Sequence, residues 1–294
     1  MDFRKLGAGW KELRRGITIC LLFVPTLLVC LPIVLLVTGS VMGNGELRQY
    51  LAPVFSDALT YISWKLVPDY PTFESYGKLL FMTPQFFVLF WNSMKMVGCI
   101  LLGQLVIGVP AAWAFAVYEV RGSRALFALY VVLMLLPFQV TMLSSYLTLD
   151  RLALLDTHWA VILPAVFSTF PIFVIYGGFR AIPKSLIEAA RIDGADEFFI
   201  FHRIIFPMAK NGISSIAIFQ FLWTWEDYLW PYLVISAKEK QLLSVGLKMF
   251  SGQYSTDYGA LFAATAISII PVLLIYVVFQ KQFIAGVASA AVKG

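Results

Sequence analysis

The sequence predicts an all-α protein, a polytopic membrane helical bundle with six transmembrane helices, and three observations carry that prediction. Only 13% of the 294 residues are charged and 60% are hydrophobic, against about 25% charged in an ordinary soluble domain. So little charge cannot cover a water-soluble surface of this size. Six apolar runs, approximately 17–42, 88–118, 124–148, 159–180, 213–235 and 260–280, reach the ~20 residues a helix needs to cross a bilayer. They are too long for strands and recur too often for the core helices of a large α/β enzyme. The Lys and Arg residues between the runs are biased to one side.

Taken in order, residues 1–16 form a basic N-terminal segment, "RKLGAGWKELRRG" within it, followed by "ITICLLFVPTLLVCLPIVLLV". That run is too long for a signal-peptide core and lacks a cleavage site, so 17–42 is a retained first helix. Residues 43–87 form a segment on the far side, with aromatics that anchor it at the interface or pack as a small external layer, and "SYGKLL" as a short amphipathic helix. Five further spans fill 88–280, interrupted by a polar passage at 181–212, and 281–294 is a short basic tail. Pro25, Pro32, Pro110, Pro137, Pro171 and Pro271 lie inside spans. A membrane bundle tolerates them because neighbours satisfy the freed carbonyls. The N-terminal segment, Arg121 with Arg124, the 180–210 stretch and the C-terminal end carry 14 of the 22 bases, and the other side carries 7. Lys95 lies within a span. The positive-inside rule then puts both termini in the cytoplasm, as an even number of crossings requires.

Between Lys184 and Lys210 four bases balance four acids. "PKSLIEAARI" reads as a helix that Ser185 can cap, with Glu188 at the capping-box position. Leu186, Ala189, Ala190 and Asp193 fall at helical spacings, and the alanines flatten one face. Gly194 interrupts the pattern where the backbone turns or something approaches closely. "ADEFFIFHRIIF" resumes as a second helix with Asp196 and Glu197 at its start, as the helix dipole favours, and Pro207 ends it. The result is a cytoplasmic elbow of two helices. Its alanine face is free to fit a groove, and its aromatic half packs against the bundle or the interface.

Several function classes drop out. The bases form no cluster interleaved with aromatics, so no nucleic-acid partner is expected. Cys20, Cys30 and Cys99 sit in apolar runs without metal or disulfide spacing. His158 and His202 lack metal-ligand company. No paired nucleophile and base share a depth, as an intramembrane enzyme would need, and a passive channel would not need an ordered elbow. Gly98, Gly103 and Gly108 recur every five residues, which suits close packing but is not the four-residue helix-dimer motif.

The passage resembles the signature loop of binding-protein-dependent ABC transporter permeases: Glu-Ala-Ala, three residues, Gly, nine residues, Ile, any residue, Leu, Pro. Here Glu188, Ala189, Ala190, Gly194, Ile204, Phe206 and Pro207 occupy those positions, with Phe206 in place of leucine. "NSMKMVG" from Asn92, "PAAWAFA" from Pro110, "LLDTHWAVILP" from Leu154, "FLWTWEDYLWP" from Phe221 and the final "AGVASAAVKG" resemble the carbohydrate-uptake branch, more narrowly its MalG-type subunits. The resemblance implies a type I importer permease with a MetI-like core in the bacterial cytoplasmic (inner) membrane. It implies a second homologous permease chain as heterodimer, two copies of a cytoplasmic ATPase subunit and an extracytoplasmic solute-binding protein. Glu188, Ala189, Ala190, Asp193, Gly194 and Pro207 would then couple to the ATPase. This chain has no Gly-x4-Gly-Lys-Ser/Thr loop, so it is expected to be non-catalytic and without a cofactor, with ATP and Mg bound by the partner.

A sugar path needs polar groups and aromatic faces within the membrane. Gln220, Trp225, Glu226, Asp227 and Tyr228 offer both, although Trp225, Tyr228 and Trp230 equally suit interfacial anchoring. Relatives often have asparagine where this chain has Glu226. Lys95 with Asn92 near the outer entry of the second span, and Gln139 toward mid-membrane, complete the candidates. Lys95 either snorkels to the interface or pairs with Glu226 or an anionic substrate. The same skeleton serves glycerol phosphate, a polyol or an acidic saccharide.

Overall fold

The computed structural model describes residues 3–55, 65–118, 121–250 and 257–291, and every regular element among them is helical. The chain divides into two units, Met1–Pro84 with Leu247–Ile267, and Gln85–Gly246 with Ser268–Gly294.

In the first unit, α1 (Phe3–Ser40) is one continuous helix through Pro25 and Pro32. Its apolar stretch, Arg14–Ser40, buries none of its most hydrophobic window within the chain. A helix apolar all round and unpacked on its own protein belongs in lipid or against another membrane helix. Beyond α2 (Asn44–Phe55), the residues at the start of α3 (Glu74–Gly77) are tied back to the end of α1. Thr72 N donates to Val41 O at 2.8 Å, and Tyr76 OH donates to Ser40 Oγ at 2.7 Å. A π turn, Lys78–Met82, extends α3, so "SYGKLL" is helical as expected. Lys78 pairs with Asp257 just before the last helix, α15 (Tyr258–Ala291).

The second unit holds the other spans. α4 (Pro84–Gly103) passes through a π turn, Gln104–Gly108, into α5 (Val109–Val117). α6 (Ser123–Leu135) and α7 (Phe138–Arg151) meet at 104° across Leu136–Pro137. The run expected as one span is therefore sharply bent at its proline. Proline lacks the N–H for a helical bond and forces Leu136 into extended backbone, so the run cannot stay straight. α8 (Trp159–Val166) and α9 (Thr169–Arg180) form the next crossing with a step at Phe167–Ser168. Among the described residues, five helices are long and apolar enough to cross a membrane, or six if the bent pair is one span.

Gly103 and Gln104 seat α4 on α8. A Cβ on Gly103 would lie 2.5 Å from Val166 Cγ2, so only glycine permits this approach. Next to it, the buried Gln104 side chain donates to Ala165 O at 2.8 Å, serving a carbonyl at the loosened end of α8. At the same level the π turn adds a residue to the helix, a distortion that occurs mostly as a single turn inside α-helices.

Among the described residues, two apolar clusters stand out in this unit. One joins Met96, Ile100, Leu149, Val161, Trp230 and Leu242. The other joins Val109, Trp113, Ile172, Phe179 and Ile213 with Ile187, Ala190, Ile200 and Ile205 from the polar passage. The elbow is thus bolted into a core.

Candidate functional site

The elbow is built from α10 (Lys184–Ile192), a turn, and α11 (Glu197–Phe199), which runs through a π turn, Ile200–Ile205, into α12 (Phe206–Glu226). Pro183, in extended backbone, precedes α10, and Ser185 lies inside the helix rather than capping it. Proline suits such a start because it needs no N–H partner there and resists helical continuation upstream. Gly194 turns the chain with φ +82°, and a Cβ there would meet nothing within 4 Å. The left-handed turn, one of the two reasons anticipated for this glycine, is present. Asp196 caps the second limb, its Oδ1 accepting from Phe199 N at 2.6 Å.

Pro207 does not end that limb. It stands in the first turn of α12, directly after the π turn, and the helix runs unbroken from Glu197 to Glu226. The wider π register ahead of the ring relieves the clash a proline makes in a regular helix. The fifth span therefore begins in the elbow, and its helix stops at Glu226 rather than continuing to residue 235. α13 (Leu229–Val234) is a separate short helix.

On α10, Ile187 and Ala190 face the core, so the expected flat alanine face is split: Ala190 packs inward and Ala189 is exposed. Glu188, Ala189, Asp193, Gly194 and Pro207 are all exposed. Ile192 is 86% and Phe198 72% exposed, so apolar surface flanks the turn. A cleft of about 670 Å³ opens beside α10, with Tyr118, Arg180, Lys184, Glu188 and Arg191 among its walls.

A lock spans the turn. Arg191 Nε donates to Glu197 Oε1 at 2.7 Å, and Tyr118 OH donates to Glu197 Oε2 at 2.8 Å. One carboxylate thus ties the first limb to the second and both to the end of α5. The hydrogen bond to Glu197 holds the Arg191 guanidinium above its ordinary pKa. Burial, then the bond to Glu197, pushes the Tyr118 phenol up, which keeps it a donor. Sequence reasoning placed Glu197 only as a favourable helix-start charge and missed Arg191 and Tyr118.

The path candidates scatter. Asn92 is buried, its amide donating to Glu239 O at 2.8 Å and Gln241 O at 3.1 Å. Gln220 is buried and reaches Thr224 Oγ1 at 3.5 Å. Trp225 is buried, donates to Ser268 O at 3.1 Å and stacks on Phe221. Asp227 is half-buried, with its carbonyl taking a bond from Ser244 Oγ at 2.7 Å, and Tyr228 stacks on Tyr232. Lys95, Gln139 and Glu226 are exposed, and Lys95 and Glu226 form no ion pair among the described residues.

A second constellation, unforeseen, stands between α7 and α8. Asp156 adopts φ +57° and its Oδ1 accepts from Ser236 N at 3.0 Å and Ala237 N at 2.8 Å. Lys240 Nζ donates to Asp156 O at 2.8 Å, and His158 Nε2 lies 2.9 Å from Lys240 O. The Ala237 N–H first, with Lys240 and Ser236, holds the Asp156 carboxyl below its ordinary range. A carboxyl depressed in the folded state stabilises above its unfolded pKa, and the contribution is lost as pH falls through the folded value. Asp156→Ala is therefore expected to speed hydrogen exchange at Ser236 and Ala237 at neutral pH, and acidification is expected to erase the difference from the unaltered protein. Equal exchange at neutral pH would refute the clip.

The fold and this site define a class: a multi-span membrane component whose polar elbow runs without a break into a membrane-crossing helix. The chain belongs to the family of binding-protein-dependent transport system inner membrane components, whose model matches residues 104–289. It is 30% identical over 269 residues to the arabinooligosaccharides transport system permease protein AraQ of Bacillus subtilis, with 92% of each chain covered. It is 31% identical over 278 residues to the diacetylchitobiose uptake system permease protein NgcG of Streptomyces coelicolor, covering 93% of this chain and 87% of that one. A solved structure of a bacterial ABC transporter involved in the import of the acidic polysaccharide alginate matches with a TM-score of 0.80 at 23% identity, over 92% of this chain and 97% of that chain. At that identity the likeness is one of fold.

Proposed function

We propose that this chain is one permease subunit of an ATP-driven, binding-protein-dependent importer for a sugar or oligosaccharide in the bacterial cytoplasmic membrane. The observation that carries the reading is the elbow: exposed on its outer face, locked across its turn by Glu197, and continuous with α12. A push on α10 is passed to a membrane-crossing helix without a flexible joint. The names of the arabinooligosaccharide and diacetylchitobiose relatives support a saccharide cargo. The partners are a second homologous permease, two copies of an ATPase subunit that bind ATP and Mg, and an extracytoplasmic solute-binding protein. Both termini lie in the cytoplasm by the distribution of bases. The ATPase seats on the face carrying Glu188, Ala189, Asp193 and Gly194.

Reconstitution of the complete complex with paired uptake and phosphate-release assays tests this. In Glu188→Lys and Gly194→Val, insertion is expected to persist while solute moved per ATP falls roughly tenfold, within the usual span of coupling free energies. Valine at a left-handed position is strained by about 1–2 kcal/mol, too little to prevent assembly. Normal coupling in both variants would defeat the reading.

A further inference from the structure

The reading above leaves open which surface the cargo touches, and α12 has two unlike faces. Gln220 and Trp225 belong to the buried one, where their polar groups bond within the chain. On the other side Asn211, Ser215, Phe219, Trp223 and Glu226 follow at spacings of four, four, four and three, which keeps them on one stripe. Asn211, Phe219, Trp223 and Glu226 are exposed, Trp223 at 66%, and Ser215 is half-buried. The Phe219 ring lies 6.0 Å from that of Trp223 and 5.4 Å from that of Phe170 on α9. The stripe has aromatic steps at its middle and hydrogen-bonding groups at its ends.

That pattern does not suit lipid. The outward side of α15, with Leu273, Leu274, Val277 and Val278 all exposed, is aliphatic, as suits lipid. It does not suit a packed helix–helix contact either, since such contacts in membranes favour small residues and this stripe is widest at its centre. An ionisable residue on a membrane-crossing helix belongs by default to a cavity or path that holds water. Saccharides present both apolar C–H faces, which lie on aromatic rings, and hydroxyls, which donate to amide, hydroxyl and carboxylate oxygens. Glu226 accepts from a neutral sugar's hydroxyls and repels a uronate.

We propose that Asn211, Ser215, Phe219, Trp223 and Glu226 form the contact stripe along which a neutral saccharide crosses, resting on the importer reading. The consequence is that the cargo-facing side of α12 is rotated away from Gln220 and Trp225.

The test uses the complete complex in proteoliposomes, with Cys20, Cys30 and Cys99 replaced by serine. Ser215→Cys is expected to react with a charged, water-soluble methanethiosulfonate at least about tenfold faster than Val277→Cys during ATP turnover, as a wetted face should against a lipid face. In the second arm, a labelled mixture of neutral tri- to pentasaccharides is the probe. Trp223→Ala is expected to lower uptake per ATP about tenfold while Trp223→Phe restores most of it, because the ring face is what matters. Equal reactivity of the two cysteines, which a partner chain or lipid covering the stripe would give, overturns the proposal, as does unaltered uptake in Trp223→Ala. Absence of ATP-dependent uptake in the unaltered complex would count against the importer reading alone, and the cysteine arm still decides the stripe.

Discussion

Glu197→Ala is expected to lower solute moved per ATP by roughly tenfold while leaving the protein folded and assembled, the signature of lost coupling rather than lost stability. Arg191 and Glu197 are each about 40% exposed, at 42% and 43%. An ion pair so exposed contributes only about 0.2–1 kcal/mol to folding. On the coupling role proposed above, its importance is mechanical. With the carboxylate gone, α10 can pivot about Gly194 and no longer drives α12. Tyr118→Phe should produce a smaller loss, since the Arg191 bond survives. The double variant Arg191→Ala with Glu197→Ala should be no worse than Glu197→Ala alone, because both remove the same link. Uptake and phosphate release measured in parallel would decide it, and additive losses would sink the lock.

Gly103→Leu is expected to be strongly damaging to folding. The Cβ alone would stand 2.5, 3.0 and 3.4 Å from three atoms of Val166. Valine is held in one rotamer on a helix and cannot swing clear, so α4 and α8 must part. Overpacking of this kind costs about 1–3 kcal/mol. Parting also pulls the Gln104 amide from Ala165 O, leaving a buried polar group unpaired at a further ~1–3 kcal/mol. Low yield and a lowered melting temperature in detergent are expected, with Gly103→Ala intermediate. Gly103→Ala combined with Val166→Ala should recover much of the loss. Failure of that rescue would show that the close approach is not the cause.

The spans were legible because apolar runs of bilayer length leave few alternatives, and the elbow because Gly194 breaks a helical pattern rich in charge. The lock was not, since Tyr118 and Glu197 are far apart in the chain and nothing local marks them as neighbours. Pro207 was read as a terminator because the rule for proline assumes a regular helix, and a π turn is invisible to residue type. The two faces of α12 were equally hidden. Trp and Phe stand on both, as Trp225 and Phe221 inside and Trp223 and Phe219 outside, so apolar periodicity could not say which was buried. Asn92 looked like a path residue because an amide in a span demands a partner, and its partner proved to be the backbone at Glu239 and Gln241.

The π turn at Ile200–Ile205 also acts as a phase setting. Everything beyond it on α12 inherits its angular position from the count of residues after Gly194. One residue inserted there would spin the helix by about 100°, swinging Trp223 toward the interior and Trp225 toward the outside. The length of the spacer between the glycine and the proline is then an indexing device that keeps one side of a membrane-crossing rod aimed where it must point.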